Sequence, residues 1–189
     1  MQRPPAATSR EPSQIPVIET ERLRLRPSRV ADLEPLAAMW GDPDHVRYIG
    51  NRPRPPAEVF ASLQRHIGAW YLVGYGFWVL ESLADGTVIG EAGFLPGMRA
   101  MDPGVDDVPE AGWSIGKAHW GQGLATEALR ACLRWADVEL PFGRTACIIE
   151  HGHDASVRVA NKCGYTKQVD SKLGESSVGI YVRPKATPA

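Results

Sequence analysis

The stretch HWGQGLATEALRACLRW, residues 119–135, decides the fold because it joins a glycine-bearing loop directly to an amphipathic helix. From Leu124 onward the apolar residues recur at helical spacing, with charged residues on the opposite face. The first N–H groups of a helix have no intrahelical acceptor and carry the positive end of the helix dipole. Gly121 and Gly123 permit unusual backbone angles and a close approach of ligand to backbone. The segment from Trp120 to Ala125 therefore predicts an anion site that accepts a diphosphate.

The spacing of these glycines indicates which nucleotide-like ligands are disfavoured. It matches neither the GxGxxG pattern of dinucleotide sites nor the GxxxxGK[ST] pattern of P-loops. A different nucleotide-like ligand is implied. The alternative is that the two glycines only make a tight turn.

Length and charge favour one domain without a polyanionic partner. The chain has 189 residues, which suits a single core, and its 21 Lys and Arg nearly balance 22 Asp and Glu. We therefore expect no membrane association and consider nucleic acid an unfavourable partner. No apolar run approaches the roughly 20 residues of a membrane span, and the first residues lack the apolar core of a signal peptide. The expected location is the cytoplasm.

The cysteines do not indicate a metal or disulfide site. There are three, an odd number, without CxxC spacing. We expect them to be reduced and mostly buried, and we expect no metal.

The pattern along the chain predicts a domain over residues 17–183 between disordered tails at 1–16 and 184–189, both rich in Pro and Ala. Leu23 and Leu25 alternate with arginines in a first strand that Pro27 ends. The element order is βααβββαβαββ, with helices at 30–40, 55–72, 124–137 and 154–164 and later strands at 76–83, 86–95, 110–116, 144–150, 165–170 and 176–184. The fold class is α/β (α+β), a mixed, mostly antiparallel sheet of about seven strands flanked by about four helices.

Four segments resemble one family in the same order along the chain. WGQGLATEA (120–128) resembles the acetyl-CoA-binding motif of the GCN5-related N-acetyltransferases (GNAT), in particular the RimJ/RimL-type branch that acetylates ribosomal-protein N-termini. ETERLRLRP (19–27) resembles the first strand of that branch, EAGWSIG (110–116) its splayed fourth strand, and HDASVRVANKCGY (153–165) its N-x-x-S-x-x-x-x-x-K-x-G-F signature. The resemblance implies a GNAT-like fold and acetyl-CoA as co-substrate.

The chain departs from the family pattern at four positions. Trp120 replaces the opening Arg or Gln, as is usual in this branch, and Tyr165 replaces the final Phe of the signature. His153 stands where the signature has Asn. Ala160 occupies the position of the Tyr general acid of many members, so a catalytic protein needs another acid.

The resemblance also implies a set of cofactor-binding residues. The backbone of the splayed strand would pair with the pantetheine arm, and the amides from Gln122 to Thr126 would hold the pyrophosphate. His153 would contact pantetheine or shuttle protons, unless it is a solvated loop histidine. The complete set is Trp113, Ser114, Ile115, Trp120, Gly121, Gln122, Gly123, Leu124, Ala125, Thr126 and His153.

Two residues are the predicted catalytic groups. Ser156 matches the signature serine and would protonate the departing thiolate, unless its hydroxyl only caps its helix. Glu110 opens the splayed strand and would be the general base, unless it is a plain exposed carboxylate, and Glu91 is the second choice. Acidic residues at 102, 106 and 107 would attract a cationic amine if they are more than a solvated loop.

The resulting hypothesis is an N-acetyltransferase in which a primary amine attacks acetyl-CoA directly within a ternary complex. The acceptor is a protein N-terminus, an amino-sugar antibiotic or a small polyamine. One alternative is a non-catalytic acyl-CoA-binding sensor or interaction module, and a weaker one is a nucleic-acid-binding protein on the same fold. We also expect strand 176–183 to be an exposed edge that could form a homodimer.

Overall fold

The computed structural model of the chain describes residues 7–8, 10–99, 101–105 and 108–186. Within these residues one mixed sheet of eight strands is flanked by five α-helices. The strands are β1 (Ile18–Glu19), β2 (Leu23–Arg26), β3 (Phe77–Ser82), β4 (Val88–Pro96), β5 (Pro109–Ile115), β6 (Arg144–Glu150), β7 (Thr166–Leu173) and β8 (Ser176–Pro184). The helices are α1 (Leu33–Gly41), α2 (Pro43–Val46), α3 (Pro56–Val73), α4 (Leu124–Glu139) and α5 (Asp154–Lys162). The predicted fold class is confirmed, and the strand and helix beyond the predicted order are the short β1 and α2.

The sheet is antiparallel except at one junction in its middle. The strand order is β1-β2-β3-β4-β5-β6-β8-β7, and only β5 and β6 run parallel. The crossover from β5 to β6 is made by α4, as a parallel connection requires. This junction lies beside the glycine-bearing loop that precedes α4.

The sheet order corrects the predicted edge strand. β8 lies between β6 and β7 and is paired along both sides, so residues 176–183 are not an exposed edge. The outer strand on this side is β7, whose sequence carries Lys167, Asp170 and Lys172. The sequence pattern could not show this order, because β8, the last strand of the chain, lies next to β6 and leaves β7 at the edge of the sheet.

The first strand carries the predicted alternation. Leu23 and Leu25 of β2 are buried, whereas Arg22 and Arg24, which alternate with them, form ion pairs. Arg26 differs from its neighbours because it is itself buried and pairs with Asp32 at 2.7 Å. The same guanidinium also binds Glu81 of β3 at 2.6 Å, so this ion-pair cluster joins two strands to the turn before α1.

The described part of the N-terminal segment contacts the domain. The amide of Ala7 donates to the carbonyl of Val73 at 3.0 Å, and that of Arg10 to the carbonyl of Trp70 at 3.0 Å. Ile15 is buried in the main core. The composition of the tail did not anticipate these contacts, and the domain boundaries at 17 and 183 stay predictions.

The core fixes the start of α4 against the sheet. The predicted apolar stripe of this helix is buried almost throughout, with Ala128, Leu129 and Cys132 inaccessible to solvent. Trp70 and Trp78 lie edge-on to Trp135 of α4, each with ring centroids 5.1 Å apart. Because α4 is held along its length, its first turn has a defined position beside β5. In the described chain, no helix combines the length and apolarity needed to cross a membrane.

Candidate active site

The loop before α4 has the conformation that its glycines allow. Gly121 has φ +75° and Gly123, at the N-cap of α4, has φ +80°. A Cβ at residue 121 would meet no atom within 4 Å, so conformation and not crowding requires glycine there. The amides of residues 121–126 donate to no acceptor among the described residues. The loop therefore presents a group of free N–H donors at the positive end of a helix.

Side chains from the first strand region hold this loop in place. Arg22 donates from Nη1 to the carbonyl of Gln122 at 2.9 Å and from Nε to Glu127 at 2.7 Å. Thr20 donates to the other carboxylate oxygen of Glu127 at 2.6 Å. Although burial raises the pKa of Glu127, these hydrogen bonds lower it overall. The glycine-bearing turn is thus connected to the start of β2 by a charged network.

Strand β5 separates from β6 as the resemblance implies. It pairs with β4 over its full length, but its pairing with β6 is confined to Glu110 and Ala146. Beyond that point, the stretch from Ala111 to Ile115 has no ladder partner on the β6 side among the described residues. Unpaired peptide groups of β5 are therefore available to an extended ligand along one edge.

Two cavities meet at this gap. The loop cavity, about 670 Å³, lies over the glycine-bearing turn, and the wide cavity, about 1240 Å³, lies between α3 and the sheet. Both are lined by Tyr48, Ile49, Trp113, Ser114, His153 and Ser156. All of the predicted cofactor-binding residues except Gln122 line the loop cavity. The arrangement can hold one ligand in each cavity with their reactive ends at β5.

Ser156 lies where the two cavities join. It is in the first turn of α5 and half-buried, and its hydroxyl has no hydrogen-bond partner among the described residues. The alternative of a capping hydroxyl therefore receives no support. Ala160 is fully buried and carries no hydroxyl, and Ser156 is the single serine of α5, Asp154–Lys162, which has no tyrosine.

His153 is half-buried and packs against an aromatic ring. Its ring stacks on Tyr48 with centroids 4.7 Å apart and planes at 17°. Burial lowers its pKa, which favours the neutral imidazole at neutral pH. The stack joins the start of α5 to the segment after α2.

Glu110 and Glu91 have different environments. Glu110 is buried and accepts from Arg99 through both oxygens, at 2.6 and 2.7 Å. Glu91 lies on β4 directly opposite Ser114 of β5, at the gap, and only 4 % of its surface is exposed. Burial raises the pKa of Glu91 to about 7 against the opposing effect of Arg54. Its nearest basic group is Nδ1 of His66 at 3.7 Å, and burial lowers the pKa of that histidine to about 3.

Sequence reasoning missed a histidine that supports the cofactor side of β5. His45 of α2 is buried, and its Nε2 lies 2.8 Å from the hydroxyl of Ser114. Its ring faces Trp120 at 6.5 Å between centroids, and Trp120 donates to the carbonyl of Ile115 at 2.5 Å. Burial lowers the pKa of His45 to about 4, so it is neutral at pH 7. Because α2 has only four residues, no periodic signal could have identified this histidine.

Other candidate groups lie away from the cavities. All three cysteines are buried, and none lines either cavity of the described structure. Burial raises the pKa of each thiol, so none is a ready nucleophile. No cluster of three or more His, Cys, Asp or Glu among the described residues could hold a metal. Asp102 is exposed, and the acids at 106 and 107 lie outside the described residues.

Known proteins are similar to this chain in sequence and in fold. Residues 22–166 match the acetyltransferase (GNAT) domain family. The chain is 30 % identical over 166 residues to the uncharacterized protein YkkB of Bacillus subtilis, spanning 87 % of this chain and 93 % of YkkB. A GNAT-family acetyltransferase of Bordetella pertussis superposes with a TM-score of 0.78 at 30 % identity, covering 89 % and 99 % of the two chains. The ribosomal L7/L12 N-acetyltransferase RimL, solved with coenzyme A, has a TM-score of 0.73 at 16 % identity over 89 % and 98 %, which is a likeness of fold.

Proposed function

Because the chain belongs to the GNAT acetyltransferase family, we propose that it transfers the acetyl group of acetyl-CoA to a primary amine by direct attack within a ternary complex. The observation that carries the proposal is the meeting of two cavities at Trp113 and Ser114, where β5 has left β6. A cofactor in one cavity and an amine in the other would meet there. Holding both reactants in one geometry supplies much of the rate acceleration.

The loop cavity would take acetyl-CoA. The free amides from Gln122 to Thr126 would bind the pyrophosphate, and unpaired peptide groups of β5 would pair with the amide groups of pantetheine. His45 and Trp120 would hold the residues of β5 that make these contacts. One N–H of β5 would face the oxyanion that develops on the thioester carbonyl, a contribution of about 3 kcal/mol in comparable sites.

Glu91 is the better candidate for the general base. A base acts best when its pKa lies near the working pH, and the pKa of Glu91 is about 7. It lies across from Ser114 at the gap, whereas both oxygens of Glu110 are occupied by Arg99. Glu110, the first choice from sequence, would then position Arg99 at the wall of the wide cavity. Glu91 would take the proton from the amine directly or through one water.

Ser156 is the proposed general acid. As the C–N bond forms and the C–S bond breaks, the thiolate of coenzyme A takes the hydroxyl proton of Ser156, which is replaced from solvent. The unpartnered hydroxyl at the junction of both cavities supports this role. His153, kept neutral by burial, would line the pantetheine path.

The finer assignments also remain part of the proposal. We retain N-acetylation, the cytoplasm as location and the absence of a metal requirement as expectations. Homodimer formation through residues 176–183 is not proposed further, because that strand is paired on both sides. The RimJ/RimL branch is supported only by a fold likeness at 16 % identity. A non-catalytic acyl-CoA sensor is the outcome that would replace this proposal.

The test is acetyl-CoA-dependent thiol release with a panel of primary amines that includes peptides, amino acids, amino sugars and polyamines. We expect one amine class to release coenzyme A, and we expect Ser156→Ala to lower kcat about 10- to 100-fold without changing acetyl-CoA affinity. Tight acetyl-CoA binding with no turnover of any amine would favour the sensor.

A further inference from the structure

Given the proposed function, on which this inference rests, we infer that the amine acceptor carries an anionic group, a carboxylate or a phosphate, and that Arg54 binds that group in the wide cavity. The inference narrows the acceptor class that family membership leaves open. Three properties of the molecule support it: the fixed position of Arg54, the lack of a carboxylate partner for its guanidinium among the described residues, and the net positive charge on this side of the cavity.

Arg54 is held firmly in place. It lies in the segment between α2 and α3, where its amide donates to the carbonyl of Trp40 at 2.9 Å. Its guanidinium carbon lies 3.8 Å from the centroid of the Trp40 ring, and Trp40 is buried. Stacking uses one face of the guanidinium and leaves the N–H donors, which point outward in its plane, free to bind a ligand.

Arg54 has no carboxylate partner in the described structure. No Asp or Glu oxygen of the described residues lies within ion-pair distance of its guanidinium. The carboxylate of Glu58, in the first turn of α3, is bound by Arg52 at 2.7 Å. Burial lowers the pKa of Arg54, although an arginine stays charged at neutral pH. A half-buried, charged fork without a protein anion is the arrangement that recognises a carboxylate or phosphate.

The charges around Arg54 leave this side of the cavity positive. Arg65 of α3 also lines it, and among the described residues its guanidinium is bound only by the hydroxyl of Ser62, at 2.8 Å. The facing Arg99 is neutralised by Glu110. Glu91 is the nearby acid, and with a pKa of about 7 it is half-protonated at neutral pH. Glu150 lies on β6, on the other side of the gap, and accepts from Ser176.

This distribution of charge favours the binding of some candidate acceptors over others. A polyamine or an amino sugar would bring positive charge to Arg54 and Arg65, which would oppose its binding. An amine with a carboxylate or phosphate would place its anion on Arg54 and direct its nitrogen toward Glu91. We therefore favour amino acids and phosphorylated amines over polycations.

The test compares matched amines in the acetyl-CoA assay. Glycine, β-alanine and γ-aminobutyrate are each compared with their carboxamides, and phosphoethanolamine is compared with ethanolamine. The series distinguishes a carboxylate from a phosphate and varies the distance between the amine and the anion. We expect the anionic member of at least one pair to have the higher kcat/KM. Arg54→Gln should lower kcat/KM about 10- to 100-fold for that amine and leave its neutral counterpart nearly unchanged.

The controls distinguish anion binding from a structural effect. Arg54→Lys keeps the charge and should retain part of the preference, whereas a purely structural loss would affect both members of a pair equally. The double variant Arg52→Gln/Glu58→Gln removes the adjacent exposed pair without a change in net charge and should behave as wild type.

Each outcome decides the inference. Equal or better use of neutral or polycationic amines would overturn it, as would anionic amines that are not acetylated or do not depend on Arg54. Calorimetric binding of acetyl-CoA, measured in parallel, separates this failure from failure of the proposed function. If acetyl-CoA binds and neutral amines react, the function stands and only the acceptor class is wrong.

Discussion

At the scale of single residues, two glycines have the backbone conformation that the sequence predicts, whereas the choice of base does not follow from sequence. Gly121 and Gly123 are recognisable because few other residues adopt φ near +80°. Glu110 lies on the strand that separates from its neighbour and Glu91 on the strand beside it, so their positions in the sequence cannot rank them. Both are buried, and what distinguishes them is Arg99, a residue of an irregular loop that binds both oxygens of Glu110, whereas burial raises the pKa of Glu91 to about 7. Both depend on tertiary packing.

Glu91→Gln tests the proposed base. The base is active when deprotonated, so wild-type kcat/KM should fall about tenfold per unit as the pH drops below the pKa of about 7. We expect the variant to lose about 10²- to 10⁴-fold in rate at pH 8 and to lack this acidic limb. Glu110→Gln is the matched comparison. A larger loss in Glu110→Gln than in Glu91→Gln would restore the first choice from sequence.

The same variant has a stability signature that shows it is folded. The pKa of Glu91 is raised above its ordinary value in the folded state, so the folded protein binds the extra proton. Its stabilising effect is complete below about pH 4.5 and is lost as the pH rises through about 7. Glu91→Gln should therefore unfold at a higher urea concentration than wild type above pH 7. A lower midpoint there would mean that Glu91 is needed for folding.

At the scale of elements, sequence reasoning finds those that are long and periodic. The predicted strands and helices from residue 76 onward all form, because the apolar residues of strands and of helices recur with different periods along the sequence. β1 and α2 have two and four residues, too few to show a period. The place of β8 inside the sheet is set by pairing between distant segments, which no local pattern contains.

One ion-pair cluster joins these elements and can be tested. Arg26 of β2 and Asp32 before α1 are both buried and paired at 2.7 Å, and Asp32 also accepts from the amide of Arg29 at 2.6 Å. We expect Asp32→Ala to lower the free energy of unfolding by about 3 kcal/mol, because it leaves a buried charge short of one partner.

The exposed pair in the same region serves as control. Glu19→Ala removes the carboxylate that binds Arg24, where both side chains are largely exposed, and should lower stability much less than Asp32→Ala does. Urea unfolding of both variants checks the expectation. Equal losses of unfolding free energy in the two variants would show that the buried cluster stabilises the fold no more than the exposed pair does.

At the scale of the whole molecule, the fold brings two cavities together at one gap in the sheet. The sequence predicts the part of the loop cavity formed by β5, the turn before α4 and the start of α5, since these fall in recognisable segments, but it does not predict the wall from Asp44 to Ile49. The wide cavity is lined by α3, the segment before it and residues of the six strands β3 to β8, and its arginines carry no motif. This difference explains why the cofactor class can be predicted from sequence and the acceptor class cannot.

Acetyl-CoA should stabilise the whole domain, because the loop cavity is lined by residues of α2, β5, α4 and α5. A ligand at 100 times its Kd adds about 2.7 kcal/mol to stability. For a chain of this size that corresponds to a rise in Tm of roughly 5 to 10 °C. Thermal unfolding with and without acetyl-CoA measures it, and an unchanged Tm at saturating concentrations would contradict a site that spans these elements.

The most direct test of the central claim is a calorimetric titration of acetyl-CoA into the wild type, Gly121→Glu and Gly86→Glu. Both glycines have φ +75° and open space at Cβ, so both variants carry the same backbone strain and the same added charge. Only Gly121 lines the loop cavity, whereas Gly86 lies in the turn between β3 and β4. We expect the wild type and Gly86→Glu to bind and Gly121→Glu to lose most of its affinity. Failure of the folded wild type to bind, or equal binding by all three, would contradict a diphosphate site on the first turn of α4.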